Sequence, residues 1–136
     1  MDSQIRKYCH HIIKSQLKVL RYDKQKGKYW DYPAMASICH DKEYKKMKRG
    51  YSHSPKETKW NQILRKKMEK LASIGKRSRK EPYIVGNCAE QHAGNNYMNK
   101  YMEKDLKQLY FSKAVRPRTM QEFDPCENCK YIFPNL

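Results

Sequence analysis

Acid is scarce in this chain. Its 136 residues carry 14 Asp and Glu against 30 Lys and Arg, a formal net charge of +16. That excess argues for a polyanionic partner, nucleic acid first; the competing account is a solubilising, lysine-rich surface. Long apolar runs are also lacking, so no segment offers the roughly 20 residues of a membrane span. Met1-Asp2-Ser3-Gln4 leads into a charged helical pattern, not the apolar stretch of a signal peptide. Glycine and proline are few, five and six, and no low-complexity tract or repeat is present. This excludes a linker-like chain and predicts one folded domain over residues 1–136. The cysteines number five, and an odd count with a Cys-x-x-Cys pair argues against a disulfide framework and for a metal or redox site.

The charge is unevenly placed. Its excess is +5 over residues 1–40, +11 over 41–80 and zero over 81–136. Ile5, Cys9, Ile12, Ile13, Leu17 and Leu20 recur at helical spacing and predict a first helix capped by Asp2 or Ser3. Residues 22–33 break the pattern. Ala34–Cys39 reads as a buried strand, with a turn at His40–Lys42 and a second strand within 45–52. Ser54-Pro55-Lys56-Glu57 reads as a helix start with a capping box. Trp60, Ile63, Leu64, Met68 and Leu71 then form an apolar stripe that Gly75 closes. A loop over 76–82 and an extended entry at 83–86 lead to a helix over 88–102. A strand within 106–115, a loop over 116–124 and a last short helix from Pro125 complete the expectation. The order implies an α/β chain with one small mixed sheet flanked by helices.

Two pieces coincide in chemistry. Cys88-Ala89-Glu90 opens one predicted helix and Pro125-Cys126-Glu127-Asn128-Cys129 opens another. Free N–H groups in a first helical turn favour thiolate, the form that binds metal. Three thiolates leave the fourth zinc position open, as a catalytic zinc requires. Glu90 then falls beside that position without having to bind the metal. Two other accounts remain: a structural zinc with Cys39 or His92 as fourth ligand, and a redox pair at Cys126 and Cys129. Neither gives Glu90 a task.

A Cys or His followed by Ala-Glu and paired with Pro-Cys-x-x-Cys is the signature of zinc-dependent deaminases. The stretches Ala34–Ile38, Gly50–Pro55, Val85-Gly86-Asn87-Cys88-Ala89-Glu90-Gln91-His92-Ala93 and Pro125–Cys129 together resemble the YwqJ-type bacterial toxin deaminases of the cytidine deaminase-like superfamily. The likeness covers roughly residues 30–133. It implies a cytidine deaminase-like fold and hydrolytic conversion of cytosine to uracil, with Cys88, Cys126 and Cys129 on zinc and Glu90 moving protons. It also implies backbone contacts to the base from the Ala89 N–H and the Asp124 carbonyl. Many relatives are toxin domains of secreted polymorphic toxins, delivered to a target cytoplasm and paired with immunity proteins. Seven residues follow Cys129, so the strands that usually come after the second zinc helix are missing. The sheet is then expected to have about three strands, with room for another in 22–33.

Lesser candidates surround this set. His53 resembles a family position near the site mouth, and Asn87 orders the helix entry or reaches a sugar. Trp30, with Tyr29 and Tyr32 beside Lys24, Lys26 and Lys28, has the aromatic-cation mixture of single-strand binding; the competing account packs Trp30 in the core. Arg77, Arg79 and Lys80 precede the Cys88 helix and are placed to track a phosphate backbone. The leading expectation is a cytosine deaminase acting on nucleic acid, DNA before RNA, with single strands as substrate and duplex as a further one that requires the base to be flipped out. The alternatives are a deaminase of RNA or of free cytidine or nucleotide, an adenine deaminase, and a non-catalytic zinc module that binds nucleic acid.

Overall fold

The strand that the sequence marks most clearly sits at the centre of the molecule. The computed structural model describes residues 1–78 and 83–136, and β3 (Ala36–His40) is buried along its whole length. Small and apolar side chains on both faces of a strand let helices pack on either side. The order is α1 (Asp2–Lys14), β1 (Val19–Asp23), β2 (Gly27–Asp31), β3, β4 (Met47–Tyr51), α2 (Gln62–Glu69), α3 (Ala89–Tyr101), a 3-10 turn (Leu106–Gln108), β5 (Tyr110–Phe111), β6 (Ala114–Val115), β7 (Glu122–Phe123) and α4 (Glu127–Ile132). The class is mixed α/β.

The sheet content differs from the expected three strands. The described residues form a two-stranded sheet, β1-β2, and an open five-stranded sheet ordered β4-β3-β6-β7 with β5 also on β3. Every pairing among these strands is antiparallel, so the larger sheet is not mixed in strand direction. On one side of β3, Ala36 and Ile38 meet Ile5, Tyr8, Cys9 and Ile12 of α1. On the other, Cys39 joins Leu64 and Met68 of α2, Ala93, Tyr97 and Met98 of α3, and Cys129 and Ile132 of α4.

Contact between β4 and α3 is close enough to need a glycine. A Cβ on Gly50 would collide with the Ala93 amide nitrogen and come within 2.6 Å of Ala93 Cα and 2.8 Å of Ala89 O. These are backbone atoms of the helix that opens at Cys88, and they have no rotamer to yield. Gly50→Ala is therefore expected to destabilise the chain by about 3 kcal/mol or more, the upper end of overpacking costs. Urea unfolding measures it, and an unchanged midpoint would contradict the close approach.

Several element boundaries moved, each for a visible reason. α1 stops at Lys14 because Ser15 Oγ donates to His11 O at 2.7 Å and Gln16 takes φ +53°; Leu20 then lies exposed on β1, not on the helix. The break over 22–33 contains a hairpin. Asp23 Oδ1 accepts from the N–H groups of Gln25 and Lys26 at 2.8 and 3.0 Å, and Gly27 closes the turn at φ +74°. α2 begins at Gln62, not near Pro55. Asn61 caps it by accepting from the N–H groups of Ile63 and Leu64 at 3.0 and 3.4 Å. The preceding backbone is taken by α3: Asn95 accepts from Asn61 N–H at 2.7 Å and donates to Lys59 O at 2.9 Å. The strand expected over 106–115 is divided at Ser112. Its N–H donates to Ile38 O at 2.9 Å, while its Oγ accepts from Ile38 N–H at 2.9 Å. The loop expected over 116–124 contains β7.

Candidate metal centre

The entry to α3 is built to hold Cys88 in place. Residues 75–78 and 83–85 pair as a short ribbon, with Gly75 N–H on Val85 O and Val85 N–H on Lys76 O, both 2.9 Å. The chain then turns at Gly86, where φ is +99° and a Cβ would come within 2.6 Å of Pro55 Cβ. Both facts call for glycine. Gly86 N–H donates to Gln91 Oε1 at 2.6 Å. Cys88 follows as the N-cap of α3, and Cys126 occupies the same position on α4.

The two helix starts bring three sulfurs together. The Sγ atoms of Cys88, Cys126 and Cys129 lie within 4.8 Å of one another, and Cys88 and Cys126 are 3.7 Å apart. Two sulfurs at about 2.3 Å from a tetrahedral zinc stand about 3.8 Å from each other. The spacing suits zinc, and the donor set is one that soft metals prefer. Cys39 is buried on β3 and His92 on α3; neither is in the group. Hydrogen bonds from Cys129 and then Cys88 hold the Cys126 thiol down at about 3, while donation to Cys126 pushes Cys88 and Cys129 well above the usual thiol range. A metal bound here would displace the protons that Cys88 and Cys129 retain.

Gln91 is the member that motif reading missed. It is fully buried, and its Nε2 donates to Cys129 Sγ at 3.4 Å while its Oε1 holds Gly86 N–H. One amide therefore supports a sulfur of one segment and the turn that delivers a sulfur of the other. Its signal was a polar residue one helical turn past Cys88, on the buried side. Outer hydrogen bonds of this kind are typically worth 10–100-fold in metal affinity. Gln91→Leu is expected to weaken zinc binding by about that factor, read by competition with a chromophoric chelator; unchanged affinity would remove Gln91 from the site.

Glu90 lies in the first turn of α3 with 6% of its surface exposed. Burial, and then the nearby Cys126 charge, push its carboxyl up to about 7. His92 is buried too, and burial followed by the His53 charge lowers it to about 4. It is therefore a neutral ring at pH 7. Its Nε2–H donates to His53 O at 3.1 Å, and the two rings stack at 3.7 Å. Trp60 lies against His92 at 5.1 Å.

The remaining predicted residues divide into two groups. Ala89 is buried at the first position of α3. Asn87 accepts from His53 N–H at 3.1 Å through its backbone, and its side-chain Oδ1 is buried without a hydrogen-bond partner among the described residues. His53 is half-buried against Tyr51 and His92. These three gather at the entry to α3. Asp124, two residues before Cys126, is exposed and its carboxylate pairs with Lys113 at 2.5 Å. Trp30 is 69% exposed on the β1-β2 hairpin and is not part of the core. Arg77 is exposed on the ribbon, bridged to Ile84; Arg79 and Lys80 lie outside the described residues.

Comparison with protein families, curated proteins and solved structures gives no match. No helix among the described residues is long and apolar enough to cross a membrane.

Proposed function

We propose that this chain is a zinc-dependent hydrolase that deaminates cytosine to uracil in nucleic acid, DNA before RNA. One observation carries the reading. Three thiol ligands from two helix starts converge within 4.8 Å, and a buried carboxylate, Glu90, sits on the first turn of the helix that supplies one of them. Three protein ligands leave a position for water and substrate. A structural module would have no use for an acid buried there at the cost of its solvation.

When bound, zinc supplies Lewis acidity toward water. The chain supplies proton traffic and placement. Glu90 takes one proton from the attacking water and delivers it to N3 of the ring. It then takes the second from the new hydroxyl on C4 and passes it to the amino group, which leaves as ammonia as the C4–N4 bond breaks and the C4 carbonyl forms. The products are uracil and ammonia. The Ala89 N–H, in the first helical turn, donates to the base carbonyl, and the Asp124 carbonyl accepts from the amino group. Asn87 Oδ1, without a partner among the described residues, is the natural acceptor for a substrate hydroxyl. The +16 charge gives the polymer, not the free nucleoside, the advantage in encounter.

The test is direct. The zinc-loaded chain is incubated with single-stranded DNA, duplex DNA, RNA and cytidine, and the products are sequenced or chromatographed. Uracil in an oligonucleotide is the expected result. Conversion of cytidine alone would transfer the site to free nucleosides, and no product from any substrate would refute deamination.

A further inference from the structure

A cavity of about 240 Å³ between the β1-β2 hairpin and the turn that joins β6 to β7 has no part in the chemistry above. Three guanidinium groups line it, from Arg21, Arg116 and Arg118, against one carboxylate, Asp31. Asp31 Oδ2 takes Arg118 at 3.3 Å and Arg21 at 3.6 Å. Arg116 is in no ion pair among the described residues; it lies over the Phe123 ring at 5.1 Å. The wall therefore has more cationic forks than its acid can satisfy. Tyr29, Tyr32, Pro33 and Ala34 complete it, and the two tyrosines carry Arg21 and Arg118 at 5.8 and 5.7 Å from their ring centres.

Guanidinium forks match phosphate oxygens, and tyrosine faces match unstacked bases. A bare phosphate would leave the rings unused, and a duplex keeps its bases stacked. The position also fits a polymer. The turn closes with Arg116 N–H on Gln121 O at 2.9 Å, and the next residue begins β7. From Glu122 the chain has four steps to Cys126, at most about 14 Å.

We propose that this cavity holds one nucleotide of a single-stranded nucleic acid, its phosphate between Arg21, Arg116 and Arg118 and its base against Tyr29, since Lys18 already lies over the Tyr32 ring at 3.8 Å. The inference rests on the nucleic-acid part of the reading above and not on the deamination step.

The test uses the zinc-loaded chain and a labelled oligothymidine, which contains no cytosine and cannot turn over. Fluorescence anisotropy follows binding across a salt series. Arg116→Gln with Arg118→Gln is expected to weaken binding at least tenfold and to reduce the salt slope by about 0.7 for the lost phosphate contact. Lys66→Gln with Lys70→Gln, an equal charge loss from exposed positions of α2 and its cap, is expected to stay within threefold of the parent. Asp31→Asn keeps an acceptor for the Tyr32 N–H, now at 2.7 Å, and frees two arginines. It is expected to tighten binding several-fold, a gain that a damaged fold would not produce. Equal weakening by both double variants would overturn the proposal in favour of a diffuse basic surface. So would failure of Asp31→Asn to tighten, duplex binding with the same arginine dependence, or inorganic phosphate competing as well as thymidine monophosphate. A chain that binds oligothymidine through these arginines yet deaminates nothing keeps the cavity and loses the deaminase.

Discussion

Glu90→Gln is expected to lower the conversion of cytosine in an oligonucleotide at least ~10²-fold, the usual scale of a lost proton carrier. The zinc content should stay at about one per chain, because Glu90 is not in the group of three sulfurs that could hold the metal. The stability readout separates this from structural damage. Glu90 is 6% exposed and its acid form is favoured by burial, so its ionised form carries an unrecovered desolvation cost. The amide has nearly the same shape and no charge. The melting temperature of Glu90→Gln should therefore equal or exceed that of the parent while turnover collapses. An acid kept at the expense of stability is the mark of a working group. Near-parental rates for Glu90→Gln would remove the proposed mechanism whatever the metal content. A fall in melting temperature matching the fall in activity would make Glu90 a structural residue.

The parts of this molecule that were legible in its sequence are those encoded locally. β3 announces itself as a short run of small and apolar residues because it is buried on both faces. The helices α3 and α4 begin where Cys88 and Cys126 predict, since both cysteines stand at N-caps and the motif spacing is measured from those positions. The β1-β2 hairpin was less visible. Tyr22 and Trp30 are exposed on the face that Leu20 shares, so its aromatic residues do not mark a buried side. At residues 54–61 a sound capping signal lost to tertiary bonds: Asn95 and Asn99 both reach Lys59 O, at 2.9 and 3.2 Å, and hold that stretch out of the helix. Strands β5, β6 and β7 have two residues each, too few for any period to register. Arg21 and Arg118 share Asp31 across a separation that no local pattern spans. The sulfur cluster could be read because its two halves each have a local signature. Gln91 could not, because its value comes from joining them.

That joining also sets the expected behaviour of the metal. Purified chain should contain about one zinc, and replacing Cys88, Cys126 and Cys129 together with serine should remove it, measured by elemental analysis. Cys9→Ala and Cys39→Ala should leave it in place, since Cys9 packs in the α1 cluster and neither sulfur is in the group. The zinc would tie the start of α3 to the start of α4, across the two sides of the cluster formed with α2. A ligand that binds only the folded state at about a thousand times its dissociation constant adds about 4 kcal/mol. For a chain of this size that corresponds to roughly 12–16 °C in melting temperature. Chelation should therefore lower the melting temperature of the parent by about that amount and leave the triple variant unmoved. Zinc retained by the triple variant would place the metal elsewhere. Zinc lost on removing Cys39 alone would restore the structural four-ligand site, and with it the open position on which hydrolysis depends would be gone.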